Sequence, residues 1–402
     1  MTRASGAHLF ILTKGRQQRL LSTPGRGFFT RLHRRLPATF RLIPLTHMNS
    51  SPTDSSLPDG VVDYPVDDMT ITVRAELTIG RLSDVLARHR QQLPIDAVAD
   101  SQTIGELVMH DVSGPRQYGC GTLRDYVIGI EALDGQGRLF HAGGRVVKNV
   151  AGYDLCRLLV GSRGLLGTVT AVTFKVRPLP PATALLAAAI PDTRQLAAAL
   201  DKLNTSETTP VILDVLSAAA AEQLFRTALP ELVPTSGSQQ PAAAAHLLIG
   251  FDGPAESCRW QLSTVSTELA PLASHLQPLQ QPTASADWCR TVQQAASASR
   301  DVPWLSRLTI LPSRVPAVIE QAIAAGCEIF GRAGNGVLFV CPASGRNVQE
   351  SAALSQLQPL LAPPGGSLLV LRGDPAFSTP SAVSVQRLSG ALQQALANPG
   401  SP

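Results

Sequence analysis

From residue 60 onward, apolar and polar positions alternate between two periods. Residues 69–74, MTITVR, alternate with the period of a strand that buries one face. Residues 79–90 instead place Ile79, Leu82, Val85 and Leu86 at helical spacing. A strand therefore leads into an amphipathic helix. The pattern next predicts a short helical turn over 103–110, a Gly/Pro loop over 111–122 and a strand over 126–133. Gly135, Gln136 and Gly137 supply a hairpin turn into Leu139, Phe140 and His141. A helix over 153–160 with Asp154 as a candidate N-cap follows, then a β-branched strand over 168–176.

The run Arg177, Pro178, Leu179, Pro180, Pro181 ends this pattern, because clustered prolines cannot continue a ladder and stiffen a connection. Beyond it, strands are predicted at 185–190, 211–216, 246–251, 306–311, 328–330, 337–340 and 367–371. Helices are predicted at 193–203, from Ala218 onward, and at 255–269, 315–325 and 349–361. This alternation implies an α+β domain with helices on one face of a largely antiparallel sheet. The chain divides into a basic segment and linker (1–59), a first domain (60–180) and a second with a C-terminal tail (181–402).

Composition changes the picture at the N-terminus. The 34 basic and 30 acidic residues look balanced, but nine of the basic ones precede Asp54, where no acid occurs. The body is therefore net negative and gives no support for a nucleic-acid-binding face. The basic segment reads as a tail, as a start-site extension ahead of Met48, or as a transit peptide; its lack of a sustained amphipathic period disfavours the last. No apolar run approaches the ~20 residues of a membrane span. The six cysteines include no C-x-x-C pair, and the eight histidines include no paired metal spacing. A disulfide framework and a metal site are not expected, and a cytoplasmic location fits best.

Candidate chemistry concentrates in residues 143–175, where Gly143, Gly144, Gly152, Gly161, Gly164 and Gly167 flank a helix and a strand. Such density reads either as a ligand cradle or as a set of tight turns. Lys148 and Asp154 read as an acid/base pair or, more simply, as a turn and a helix cap. His110 is a candidate to polarise a substrate, or a surface histidine. The stretch GSRGLLGT lacks the Lys-Ser/Thr of a nucleotide P-loop. No residue stands out as catalytic.

Two stretches, SGPRQYGCGTLRDYVIG (113–129) and VVKNVAGYDLCRLLVGSRGLLGTVT (146–170), resemble the flavin-binding domain of the vanillyl-alcohol oxidase/p-cresol methylhydroxylase (PCMH) superfamily. Within it they are most similar to the FAD-binding subunits of bacterial glycolate oxidase. Weaker similarity continues through Gly331-Arg332-Ala333-Gly334-Asn335-Gly336. The resemblance implies a PCMH-type FAD-binding domain followed by an α+β cap domain with ferredoxin-like units. It implies FAD as cofactor, with Thr103, Gly105, Ser113, Gly114, Gly121, Asp125, Gly129, Gly164 and Val169 around it. It also implies a 2-hydroxy acid substrate and, as partners, a catalytic flavin subunit and an iron–sulfur subunit, through which the protein would associate with a membrane.

Two departures from the family pattern matter. Glu106 stands where the family's Thr-x-Gly-Gly turn has its second glycine, so a carboxylate faces the expected diphosphate and repels it by ~1 to 4 kcal/mol depending on screening. Ala75-Glu76 replaces a strand-end Ala-Gly. Nothing between Met1 and Gly60 resembles the family's first flavin subdomain with its glycine-rich loop. An FAD-binding oxidoreductase subunit, a flavin-free structural subunit of the same kind of complex, and a truncated reading of a complete flavin protein all remain open.

Overall fold

The structure is a computed structural model that describes residues 57–144, 154–232, 243–279, 284–297, 301–361, 366–374 and 377–378. Nearly all of the basic segment lies outside these residues, as do Lys148, Gly152 and the rest of 145–153.

The first sheet is built from β1 (Val61–Asp63) and β2 (Thr70–Arg74), after which helix α1 (Ile79–Ala87) begins at its N-cap Thr78. The Thr78 hydroxyl accepts from the Arg81 N–H, and Ile79, Leu82, Val85 and Leu86 form the buried stripe that the spacing predicts. A two-residue strand β3 (Gln91–Gln92) follows, then helix α2 (Ile104–His110). Two single-turn helices, α3 (Gln117–Cys120) and α4 (Leu123–Tyr126), occupy the region expected to be a loop. Strands β4 (Val127–Leu133) and β5 (Leu139–Gly143) form the expected hairpin, helix α5 (Leu155–Leu159) is capped by Asp154, and β6 (Thr168–Lys175) returns. Strand order is β1-β2-β6-β4-β5, antiparallel throughout. Ile71, Val73, Leu82, Ile104, Leu107, Leu123, Val172 and Phe174 are buried between this sheet and its helices. The short β7 (Arg177–Pro178) pairs back onto β3 where the chain leaves the sheet.

The second sheet contains β8 (Ala182–Ile190), β9 (Ile212–Ser217), β10 (Ala245–Gly253), β11 (His275–Leu279), β12 (Leu305–Thr309), β13 (Cys327–Arg332), β14 (Val337–Pro342) and β15 (Ser367–Arg372). Their order is β11-β8-β10-β9-β13-β14-β12-β15, again antiparallel at every pairing. Helices α6 (Thr193–Asn204), α7 (Ala218–Ala228), α8 (Ala255–Leu269), α9 (Ala284–Ala295), α10 (Val315–Ala324) and α11 (Glu350–Leu357) connect the strands.

Here the structure corrects the expectation of helices on one face. Buried residues of α6, α8, α10 and α11 share one core with Leu186, Ala188 and Ile190, while those of α7 and α9 share a second with Leu185 and Ala187. The reason lies in the strands. Every residue of β9, β13 and β14 is buried, and β8 is apolar at nearly every position, so neither face can be left to water. Helix α9 was not anticipated, although Ala284, Trp288 and Val292 mark its buried stripe.

The region between α2 and β4 ties the two sheets together. The Gly119 N–H donates to the Val211 carbonyl at 3.2 Å, and the Tyr118 ring lies against Gly334, where a Cβ would overlap it.

Candidate functional site

The N-terminus of α2 carries two of the expected cofactor residues, and its own chain satisfies it completely. The Thr103 hydroxyl accepts from the Glu106 N–H at 3.2 Å, and the Thr103 N–H donates to Glu106 Oε2 at 3.0 Å, a reciprocal capping box. The Ile104 N–H donates to the Leu77 carbonyl at 2.9 Å and the Gly105 N–H to the Ala75 carbonyl at 2.8 Å. A Cβ on Gly105 would sit 3.3 Å from Ala75, so this glycine permits close approach of helix and strand. At the other end, His110 Nδ1 lies 2.9 Å from the Glu106 carbonyl on an exposed residue, the bland alternative for that histidine.

The loop after α2 is gripped by the second sheet. Arg332 Nη2, at the end of β13, donates to the Ser113 carbonyl, and Gln293 Nε2 of α9 reaches the same oxygen at 3.3 Å. Gln293 also donates to the Asp96 carbonyl at 2.5 Å and accepts from Arg332 at 3.0 Å. The Asp96 carboxylate fills the space where a side chain on Gly114 would go, and it holds Arg116 through the guanidinium at 2.7 Å and the Arg116 N–H at 3.0 Å. Burial works against the Arg116 charge, yet Asp96 outweighs it and raises that pKa.

Behind this grip lie two buried groups of opposite charge type, Asp214 and Arg332. Asp214 on β9 is the cross-strand neighbour of Arg332, and Asp214 Oδ2 accepts from Trp288 Nε1 at 2.8 Å. Burial pushes the Asp214 carboxyl up to about 7, against the Trp288 bond and Arg332, and pushes the Arg332 guanidinium down to about 10. Asp214 Oδ1 and Arg332 Nε have no hydrogen-bond partner among the described residues. The Arg332 guanidinium lies 5.9 Å from the Phe339 ring centre, and Arg307 on β12 is the cross-strand neighbour of Phe339. Arg307 Nε is likewise without a partner among the described residues, and burial lowers its pKa while Asp111 opposes that shift. One guanidinium, that of Arg332, thus lies over the Phe339 ring, and Arg307 is paired with Phe339 across the strands, close enough for its charge to disfavour that of Arg332.

The remaining expected residues are spread along the first sheet. Asp125 caps α4 by accepting from the Thr122 N–H at 2.8 Å and hydroxyl at 2.9 Å, and the backbone bond leads in lowering its pKa. Gly121 ends α3 at φ +90°, a left-handed turn that suits glycine. Gly129 pairs with Gly143 and Thr173 inside the sheet, and Val169 on β6 is buried. Gly164 belongs to a turn stacked on the C-terminal end of α2, where the Gly161 N–H donates to the Val108 carbonyl and the Arg163 N–H to the Met109 carbonyl, each at 2.9 Å. The structure therefore brings Ser113 and Gly114 to the second sheet and gives Thr103, Gly105, Gly121, Asp125 and Gly129 roles within the first. Sequence reasoning missed Asp96, Asp214, Gln293 and Arg307. The only signal near them was the run around Arg332.

Residues 55–143 match the family model described as FAD binding domain. The chain is similar to glycolate oxidase subunit GlcE of Escherichia coli (strain K12), 38% identical over 126 residues, which is 31% of this chain and 36% of that protein. It is also similar to glycolate oxidase subunit GlcD of Bacillus subtilis (strain 168), 27% identical over 311 residues, 74% of this chain and 64% of that protein. Among solved structures, an alkyldihydroxyacetonephosphate synthase aligns with TM-score 0.60 at 17% identity over 84% of this chain and 64% of that one, a likeness of fold. The alignment with GlcE spans about a third of that subunit's length.

FAD is the cofactor of this kind of domain, and its diphosphate needs N–H donors. The α2 end does not fit that need: the N–H groups of Thr103, Ile104, Gly105 and Glu106 are all engaged within the chain, and a carboxylate already lies against them. The expected diphosphate role of Thr103 and Gly105 thus meets a closed helix end. The architecture and the matched segment nonetheless agree: residues 55–143 match the FAD binding domain family model, and the solved structure is a likeness of fold.

Proposed function

We propose that this chain is a subunit of a glycolate oxidase-type complex that oxidises a 2-hydroxy acid, working beside a catalytic flavin subunit and an iron–sulfur subunit. The observation that carries this reading is the 38% identity to GlcE over 126 residues. What the chain's own residues contribute is positioning and electrostatics. Arg332 and Gln293 fix the Ser113 carbonyl, and with it the loop between the sheets. Arg307 and Arg332 are two basic side chains that sense each other's charge on the second sheet, which on this reading favours an anionic substrate such as a hydroxy acid carboxylate. On this reading Ser113, Gly114, Gly164 and Val169 face the flavin, and the protein resides in the cytoplasm, reaching a membrane only through its partners.

The test is to purify the full chain, alone and with co-expressed partner subunits, and to record its visible spectrum and hydroxy acid oxidation. The reading expects flavin absorbance near 450 nm, FAD released on denaturation, and oxidation of glycolate or D-lactate by the assembled complex. A colourless chain that takes up no added FAD rejects its flavin role. A second reading, a flavin-free structural subunit of such a complex, is favoured by the closed α2 end. It expects the complex to assemble around a colourless chain.

A further inference from the structure

Helix α2 has the sequence context of a cofactor-binding helix and the hydrogen bonding of a structural one. A helix opens with N–H groups that lack intrahelical partners, and these are normally met by a cap, by water or by a ligand. In this chain three different sources meet them. The Ala75 and Leu77 carbonyls, at the end of β2 and just beyond it, take the Gly105 and Ile104 N–H groups, which welds α2 to the sheet. Thr103 Oγ1 takes the Glu106 N–H. Glu106 Oε2 takes the Thr103 N–H, so the negative charge favoured at a helix N-terminus is supplied from within the helix. Thr103 is also the bridge partner of Thr78, the N-cap of α1, so one residue registers the starts of both helices.

Glutamate at 106 is thus more than a charge placed near a diphosphate. It completes a closed circuit, and a bound diphosphate would have to break that circuit to reach any of the four N–H groups. The consequence reaches the core, because Ile104, Leu107 and Val108 are all buried on the first sheet. Opening the N-terminus of α2 would loosen the helix that covers β2 and β6.

We propose that Glu106 is the built-in counter-anion of α2, that Thr103 and Gly105 hold the first sheet's helices in place rather than a flavin diphosphate, and that this domain closes without the cofactor. The proposal rests on the match to the FAD binding domain family, and it is independent of whether the chain joins a glycolate oxidase-type complex.

The experiment uses the full chain freed of flavin, with thermal unfolding and amide hydrogen exchange measured with and without 100 µM FAD, roughly a saturating level for a domain that binds micromolar flavin. The flavin-free chain is expected to unfold cooperatively, and amides 103–107 are expected to be protected to the same degree in both samples. Thr103→Ala and Glu106→Ala should each lower Tm by about 2–4 °C, while Thr103→Ser should restore most of the loss and Glu106→Gln, which rebuilds the box without its charge, only part of it. FAD affinity should change less than about twofold in all four variants. Protection of amides 103–107 that appears only with FAD would overturn the proposal. So would a tenfold or greater loss of FAD affinity in Thr103→Ala with the stable Thr103→Ser variant as control. A wild-type chain that takes up no FAD at all removes its proposed flavin role and supports the present inference. FAD uptake accompanied by new protection at 103–107 does the reverse.

Discussion

The two sheets solve the same problem, polar groups inside a fold, at very different distances along the chain. In the first sheet the helix caps and the hairpin turn are met locally, although Thr72 and Thr173 meet across 101 positions. Thr103 and Glu106, Thr122 and Asp125, and Asp154 and the Arg157 N–H lie three residues apart, and Asp134 and Arg138 lie four apart. In the second sheet they are remote. Arg332 reaches Ser113 across 219 positions, Gln293 reaches Asp96 across 197, and Trp288 reaches Asp214 across 74. The caps at Thr122 and Asp154 are exposed and each stabilises by about 1 kcal/mol, so they tolerate loss. Remote pairs are buried, and removing one partner strands the other in a medium that cannot solvate it. The second sheet should therefore be the fragile partner electrostatically, although it has the larger apolar core.

The sharpest way to break that comparison is Arg332→Met. The substitution keeps much of the side chain's bulk but removes a donor from the Ser113 carbonyl, the only donor to the Gln293 side-chain oxygen among the described residues, and the positive charge that favours an ionised Asp214. We expect a loss of about 3–5 kcal/mol in chemical denaturation. At pH 8, where Asp214 is ionised, Arg332→Met combined with Asp214→Asn should recover part of it, because the uncompensated charge is then gone. If Arg332→Met costs no more than the loss of a surface cap, the remote network is not what joins the sheets.

The same pair gives a pH signature. Asp214 titrates about three units above an ordinary aspartate, so between pH 4 and 7 the folded chain binds a proton that the unfolded chain has released. This contribution is fully present below pH 4 and is lost as pH rises through 7. At ~1.4 kcal/mol per unit it amounts to as much as about 4 kcal/mol. His246 acts in the opposite direction: burial lowers it to about 4, and the stability it contributes is lost as pH falls from 6.5 toward 4. The clean measurement is therefore the difference between wild type and Asp214→Asn across pH 4 to 8. The variant should gain on wild type as pH rises, and a difference that stays flat refutes the raised carboxyl.

The asymmetry also explains how much of the molecule was legible in its sequence. Period and punctuation found α1, β2, β4, β6, the β4–β5 hairpin and most strands of the second sheet, because each is set by residues within ten positions. The Asp154 cap was legible for the same reason. The helices on both faces of the second sheet were announced by uniformly apolar strands, but that signal was outweighed by the usual two-layer pattern. The candidate site was half legible. Ser113 and Gly114 were singled out by their motif as flavin neighbours, and the structure sets Ser113 against Arg332 and Gln293, whereas Gln293, Asp214 and Asp96 carry no motif and gain their importance only when the strands pair. Glu106 was read as a repulsive charge; its bond to the Thr103 N–H makes it a cap as well, a role written in the Thr-x-x-Glu spacing itself.

A smaller effect sharpens the contact between the sheets. Gly334→Ala should cost about 1–3 kcal/mol, since the new methyl would overlap the Tyr118 ring and force it to move. Restoring space with Tyr118→Leu in the same chain should recover some of the loss, while neither change touches the first sheet's caps. A Gly334→Ala chain as stable as wild type would show that the 113–121 segment docks on the second sheet with room to spare.

The smallest expected effect tests the local side of the comparison. Asp125→Ala removes the acceptor for both the Thr122 N–H and hydroxyl, yet both donors lie at an exposed helix start where water can replace it. The loss should be near 1 kcal/mol, and Asp125→Asn should recover part of it by keeping one acceptor oxygen. Because the carboxyl's pKa is lowered in the fold, the stability it contributes is present at neutral pH and is lost as pH falls below the ordinary aspartate range. Wild type should therefore gain on Asp125→Ala as pH rises out of acid, the opposite trend to Asp214→Asn, which gains on wild type as pH rises. Opposite slopes in two aspartates of one chain would separate a carboxylate held by donors at the surface from one pressed into a core. Parallel slopes would mean that the two sheets handle charge alike and that the contrast drawn between them fails.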